Sequence, residues 1–159
     1  MKFLKTHYGR AINVIPSDTV NIPNPAGLGK TGTTDNDGTN QLRDRSANFT
    51  TNLLGAIVVN TTTNAIANVV GFGNSGILLL DADIFLYGEG YAIYNSENNQ
   101  GCSIYIPVQE PENLKVLTVG GDIITFTKCG NKFADSILPV NVLKVFDTGT
   151  DIIDLVALW

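Results

Sequence analysis

Histidine and cysteine, the side chains most often used for catalysis and metal binding, are scarce in this chain. His7 is the only histidine, and Cys102 and Cys129 are the only cysteines. Three such groups cannot form a four-ligand zinc site, and a Ser-His-Asp or Cys-His arrangement would depend on His7 alone. The sequence therefore predicts no enzyme, no metal and no cofactor. It favours two buried free thiols, and a disulfide would require the fold to bring them together.

Charged residues and long apolar runs are also rare. Charged side chains make up 16% of the chain, and ten Lys and Arg against fifteen Asp and Glu give a net charge of -5. The basic residues are scattered, so we expect no nucleic-acid partner. Apolar runs such as Ile77–Leu80 are far shorter than the ~20 residues of a membrane helix. The start, Met1–Arg10, lacks the apolar region of a secretion signal, which predicts a soluble protein made in the cytoplasm.

Long helical patterns are missing, because Gly, Pro and Asn interrupt almost every stretch. One short helical turn is predicted near Asn40–Ala47. Short β-rich runs recur instead, which predicts an all-β, antiparallel sandwich of jelly-roll or immunoglobulin-like type. The predicted runs are Ala56–Asn60, Asn68–Val70, Ile77–Leu80, Ile84–Tyr87, Tyr91–Tyr94, Ser103–Val108, Leu114–Val119, Ile123–Thr127, Leu138–Phe146 and Ile152–Trp159.

Two local features refine this reading. Gly120-Gly121 separates two β-rich runs and predicts a tight hairpin, because glycine tolerates positive φ. In the last run, Ile152–Trp159, the even-numbered and the odd-numbered residues are both largely apolar. We therefore expect a terminal strand that is covered on both faces and docked into a core.

Polar stretches divide the chain of 159 residues. Residues 28–41 contain almost nothing to bury and are predicted to be a polar loop, and Asn95–Gln100 marks a second break. Residues 28–100 are accordingly predicted to be an inserted small β module. Residues 1–27 with 101–159 are predicted to form the host β-sandwich domain.

Three patterns suggest chemistry but lack its context. Gly27–Gly32 contains Gly-Lys-Thr, yet it has neither the full phosphate-loop spacing nor a predicted helix after it. Asp35–Asn40 is rich in oxygen ligands, but no Glu follows at the calcium-loop position, so a solvated turn is favoured. Asp81 and Asp83 form a carboxylate pair without a partner group, and we expect them to end a strand.

Both ends of the chain resemble a known family. Ala11–Ala26 resembles the opening of the head spike base proteins of gene transfer agents and related phages. Leu117–Phe126, Ile137–Val142 and Ile153–Trp159 are similar to that family's Gly-Gly-Asp-x-x-Thr-Phe, Leu-Pro-Val and Val-Ala-Leu-Tyr/Trp segments, in the same order. Parts of the insert, such as Gly55–Thr61 and Ile77–Phe85, are similar to a small, barrel-like β module of tailed-phage structural proteins.

The resemblance implies a virion structural protein on the capsid exterior. It implies a capsid decoration or head spike or fibre base subunit, which binds the major capsid protein, further copies of itself as a pentamer or trimer, and a head fibre. Proline fixes φ, so an extended arm for capsid or subunit contact is predicted at Pro16, Ser17, Asp18, Pro23 and Pro25. The alternative is that this segment leads into an edge strand of its own subunit.

A second function is a receptor- or glycan-binding module of a tail or fibre. Four tyrosines could stack on sugars, namely Tyr87, Tyr91, Tyr94 and Tyr105. Tyrosines in β-rich runs more often pack in the core or across strands, however. Whether these rings are exposed or buried therefore distinguishes sugar stacking from packing within the fold.

Overall fold

The fold is all-β, as predicted. The computed structural model describes residues 8–97, 99–107, 112–129, 133 and 135–159. Antiparallel strands dominate the described residues, with single 3-10 turns at Pro25–Gly27 and Thr51–Leu53. The strands are β1 Ala11–Asn13, β2 Leu28–Thr33, β3 Gln41–Arg43, β4 Ile57–Asn60, β5 Ile66–Asn74, β6 Ile77–Leu80, β7 Gly90–Tyr94, β8 Ser103–Ile106, β9 Leu114–Thr118, β10 Ile123–Phe126, β11 Ser136–Ile137, β12 Val142–Val145 and β13 Val156–Leu158. Among these residues, no helix is long and apolar enough to cross a membrane.

The chain divides into two compact units. Unit 1 combines Met1–Pro16 with Gln100–Trp159, and unit 2 is Ser17–Asn99. The boundary lies earlier than the predicted one at residue 27. Val20 and Ile22 are buried, and the carbonyl of Ile22 accepts a hydrogen bond from Asn99 Nδ2 at 3.1 Å. Burial and hydrogen bonding therefore place residues 17–27 with the insert.

Unit 1 contains two antiparallel sheets, an arrangement consistent with a β-sandwich. The first has the order β1-β13-β8-β11, and the second β10-β9-β12. The two ends of the chain meet in the first sheet, where Ala11 pairs with Leu158 and Val156 pairs with Tyr105. Trp159 also bonds to Arg10 through its main chain at 3.0 Å, so the terminal strand is docked. Ile153 is exposed, however, so the run from Ile152 is not covered throughout.

Unit 2 is built on one antiparallel sheet of six described strands, in the order β2-β7-β4-β5-β6-β3. β2 and β3 are its two ends. No closed barrel is found among the described strands, unlike the barrel-like form that the resemblance implies. One cluster of buried side chains forms the core, and its largest members include Leu42, Phe49, Leu78, Phe85, Tyr91 and Ile93.

Three local predictions are wrong. The supposed polar loop at 28–41 contains β2, a half-exposed strand that main-chain pairing with β7 holds in place. The helical turn near Asn40–Ala47 is instead β3 followed by a turn. Residues 84–87 form no strand, because their main-chain groups bond to side chains of other segments. Val108, at the end of another predicted run, lies outside the described residues.

The hairpin between β9 and β10 is confirmed, with a longer loop than predicted. Gly121 N donates to Thr118 O at 3.0 Å, and Thr118 N donates to Asp122 O at 2.9 Å. Of the three residues between Thr118 and Asp122, only Gly121 has a positive φ, of 91°. This is the three-residue connection in which a turn is followed by one left-handed residue.

Candidate interaction surfaces

The described residues that were considered for catalysis and phosphate binding lie in turns, strands and main-chain contacts. Gly27–Gly32 runs from a 3-10 turn into β2, with no helix after it. Asp81 Oδ1 accepts from Asn68 N at 2.8 Å, and Asp83 Oδ1 accepts from Asn40 N at 3.1 Å. The two carboxylates thus join neighbouring main-chain segments. His7 lies outside the described residues.

Asp35, in the candidate calcium loop, is bound by Arg45. Its Oδ2 accepts from both the main-chain N and the Nε of Arg45 at 3.0 Å. No group of three or more His, Cys, Asp or Glu side chains converges within the described part of the chain. Burial raises the pKa of the Cys102 thiol to about 12. Cys102 and Cys129 are both buried and are not joined in a disulfide, as the sequence favours.

The predicted contact arm is mostly packed on its own chain. Pro23 is buried, and Pro16, Ser17 and Pro25 are half-buried. Ser17 Oγ accepts from Val20 N at 3.0 Å, and Pro25 begins a 3-10 turn. Of the predicted arm residues, Asp18 alone is exposed.

The four tyrosines differ in exposure. Tyr91 is buried, and Tyr94 and Tyr105 are half-buried. Tyr105 donates a hydrogen bond to Asp135. Tyr87 is 72% exposed, which makes it the one of the four whose ring is largely open to a partner.

Asp44 and Tyr91 form a buried pair in unit 2. Tyr91 Oη donates to Asp44 Oδ2 at 2.8 Å, and Ser46 donates to Asp44 Oδ1 through N at 2.9 Å and Oγ at 2.6 Å. Burial alone would raise the pKa of Asp44, but these bonds and the N–H of Ala47 outweigh it and hold the pKa below 3.8. Burial, with the nearby carboxylate, raises the pKa of Tyr91, which stays a donor.

We expect Tyr91→Phe to lower the free energy of unfolding by about 1.5–3 kcal/mol at pH 7, because one bond to a buried carboxylate is lost. Because the pKa of Asp44 is lower in the folded than in the unfolded state, its contribution to the free energy of unfolding is present above the ordinary value of 3.8. That contribution is lost as the pH falls from there through the folded-state pKa. The difference between wild type and Tyr91→Phe should therefore shrink below that pH. Urea unfolding across pH measures it.

Tyr94→Phe is the matched control, because Tyr94 lies on the same strand and is half-buried. Its difference from wild type should be small and independent of pH. A Tyr91→Phe effect that stays constant down to acid pH would contradict the assigned hydrogen bond.

The segment Ile84–Glu89, which we call the 84–89 loop, is the most constrained exposed apolar feature of unit 2. Thr34 Oγ1 donates to Leu86 O at 2.6 Å, and Gly88 N donates to Thr34 O at 3.1 Å. Asn60 Nδ2 donates to Ile84 O at 2.7 Å and to Glu89 Oε2 at 2.8 Å. Thr34 and Asn60 are both buried, so two core polar side chains serve to hold this loop.

The loop presents two large apolar side chains to solvent. Leu86 is 66% and Tyr87 is 72% exposed. The preceding residue, Phe85, is buried and packs edge-on against Tyr91. Glu89 Oε2 accepts from Leu86 N at 2.7 Å, which closes the turn. A rigid loop loses little conformational entropy on binding, and Tyr is enriched at binding hot spots. These features make it a candidate docking element.

Unit 2 carries the acidic character of the chain. Eight carboxylate residues and three basic ones between Ser17 and Asn99 give it a charge of -5, which equals the charge of the whole chain. A groove of about 310 Å³ beside the 84–89 loop includes Asp83 and Glu89 in its lining. A partner of this surface should therefore be neutral or basic.

Sequence reasoning assigned Ile84–Tyr87 to a strand and did not single out the 84–89 loop. The available signal was Gly88-Glu89-Gly90, whose glycines favour a turn, and Gly88 has a φ of 81°. No protein-family model, curated protein or solved structure matches this chain.

Proposed function

We propose that this chain is a non-enzymatic virion structural protein, a capsid-bound decoration or head spike or fibre base subunit that acts through repeated symmetric contacts. The 84–89 loop carries the proposal. Hydrogen bonds from two buried polar side chains hold the loop so that Leu86 and Tyr87 stay in the solvent, and a constrained, exposed apolar pair of this kind suits a docking partner.

The pairing of the chain ends supports the same proposal. The two terminal segments that resemble head spike base proteins contribute adjacent strands, β1 and β13, to one sheet. The insert folds as a unit of its own. A host domain that carries a separate, acidic module suits a subunit that binds a shell through many weak contacts, where avidity replaces a single tight site.

The test is binding of the purified protein to emptied capsids of the parent particle. Leu86→Ser with Tyr87→Ser should weaken binding about 30-fold or more, since even a single hot-spot residue contributes about 2 kcal/mol or more. The measurement is co-sedimentation of protein with capsids over a range of concentrations.

Leu54→Ser with Val70→Ser is the matched control, because both residues are exposed apolar side chains of the same unit. This double variant should bind capsids like the wild type. Equal binding by both double variants, or no capsid binding by the wild type, would contradict the proposal.

A glycan-binding role is the second candidate, and one observation favours it. Tyr87 is exposed, and its neighbour in the chain, Leu86, lines the groove together with Asp83 and Glu89; an exposed aromatic ring and carboxylates on one loop suit a sugar. Glycan-array binding that Tyr87→Ser abolishes, without capsid binding, would favour this role over the first.

A further inference from the structure

Strand β10 is an open sheet edge in unit 1. Within the described residues it is the terminal strand of the sheet β10-β9-β12 and pairs with β9 alone. Its four residues, Ile123–Phe126, carry no charge and no proline. An edge of this kind offers unpaired main-chain groups to another strand.

The other terminal strands carry features that discourage such pairing. β12 and β2 each contain a lysine and a register shift, and β3 contains Arg43. β1 and β11 are only three and two residues long. Charges, bulges and short length are the usual protections of sheet edges. By comparison, β10 is left unprotected.

The main-chain groups that β10 points outward can be assigned from its register. Thr118 N donates to Asp122 O at 2.9 Å, so these residues form a hydrogen-bonded pair. Such pairs alternate along an antiparallel ladder, which makes Ile124 and Phe126 the next residues bonded to β9. The N–H and C=O groups of Ile123 and Thr125 therefore face away from β9.

We propose that β10 pairs antiparallel with β10 of a second copy of this chain, with Thr125 opposite Thr125 on a two-fold axis. This register uses the outward main-chain groups of Thr125 and places Ile123 opposite Thr127. Ile123 is 61% exposed, Thr125 is exposed on the same face of the strand, and Thr127, directly after the strand, is exposed too. Cross-strand pairs of β-branched side chains stabilise such a ladder.

Charge complementarity selects a second copy as the occupant. The same register places Asp122 of each copy opposite Lys128 of the other, and both residues are exposed. Lys128 follows the end of the strand, with a φ of 54°, and its flexible side chain spans the remaining offset. One two-fold contact thus contains two equivalent ion pairs, as an isologous interface requires.

This contact is independent of the proposed function, because it needs only the purified chain. It produces two-fold pairs and does not itself close a trimer or pentamer. Analytical ultracentrifugation of the full chain should show a concentration-dependent dimer. A monomer up to hundreds of micromolar would overturn the proposal and leave capsid attachment untouched.

Charge variants test the register. Asp122→Lys alone and Lys128→Asp alone each place like charges opposite one another twice, and each should weaken self-association about tenfold or more. Asp122→Lys with Lys128→Asp in one chain should restore it. Mixing the two single variants should form heterodimers, since each lysine then meets an aspartate. Single variants that dimerise like the wild type, or a mixture that stays monomeric, would overturn this register.

Thr125→Pro gives a second test that does not depend on charge. Proline removes the outward N–H at the two-fold axis and is tolerated at strand edges. The variant should be monomeric, and at concentrations where the wild type is also monomeric it should keep the wild-type thermal unfolding midpoint. Continued dimer formation by this variant would place the contact elsewhere.

Discussion

Replacing Ala157 with Asp should destabilise unit 1 by about 3–5 kcal/mol, because an unpaired charge enters a buried site. Ala157 is fully buried in the middle of β13, the strand between β1 and β8. Small domains are stable by roughly 5–15 kcal/mol, so this loss is a large fraction of the total stability. Trp159 is the only tryptophan, lies two residues away and reports unfolding of unit 1 by fluorescence.

Ile153→Asp is the matched control, since the same charge enters the same C-terminal segment at a side chain that is 67% exposed. It should change the free energy of unfolding by about 0.5 kcal/mol or less. Limited proteolysis of the Ala157→Asp variant should leave a resistant fragment that spans unit 2. Equal urea midpoints for the two variants would contradict the burial of β13 between its neighbours.

The strands that sequence predicts well are those with a buried face. Leu114–Thr118 alternates buried and half-buried residues along its length, and Ile77–Leu80 has the predicted bounds. Apolar side chains in a short run with turn residues at its ends carry this signal. β2 lacks this apolar signal. Main-chain hydrogen bonds to β7, about sixty residues later in the chain, stabilise the strand instead.

The candidate docking loop shows the opposite error. Ile84–Tyr87 is apolar enough to predict a strand, but only Phe85 among its large side chains is buried deeply. The bonds from Thr34 and Asn60 that hold the loop come from residues distant in the sequence, and local patterns do not contain them. The proline segment illustrates a similar limit of local patterns, because the burial of Pro23 depends on residues distant in the sequence.

The Asp44–Tyr91 pair makes unit 2 sensitive to a change in a neighbouring glycine. A Cβ at Gly32 would lie 2.5 Å from Tyr91 Oη and 2.7 Å from Cζ. The ring cannot retreat easily, because it is buried and packs against Phe49 and Phe85. Gly32→Ala should therefore cost about 2–4 kcal/mol, from overpacking and from the weakened bond to Asp44. Urea unfolding measures the loss.

Gly29→Ala separates this clash from the general effect of replacing a glycine in β2. Neither glycine has a positive φ, and a Cβ at Gly29 would meet nothing closer than 3.9 Å. Gly29→Ala should be neutral or slightly stabilising. Tyr91→Phe removes Oη, the atom closest to a Cβ at Gly32. The double variant Gly32→Ala with Tyr91→Phe should therefore lose less stability than the sum of the two single losses. The ring atoms Cζ and Cε1, at 2.7 and 2.8 Å, remain in that double variant, so strictly additive losses would show that the clash of Gly32→Ala runs through the ring and not through the Tyr91 hydroxyl.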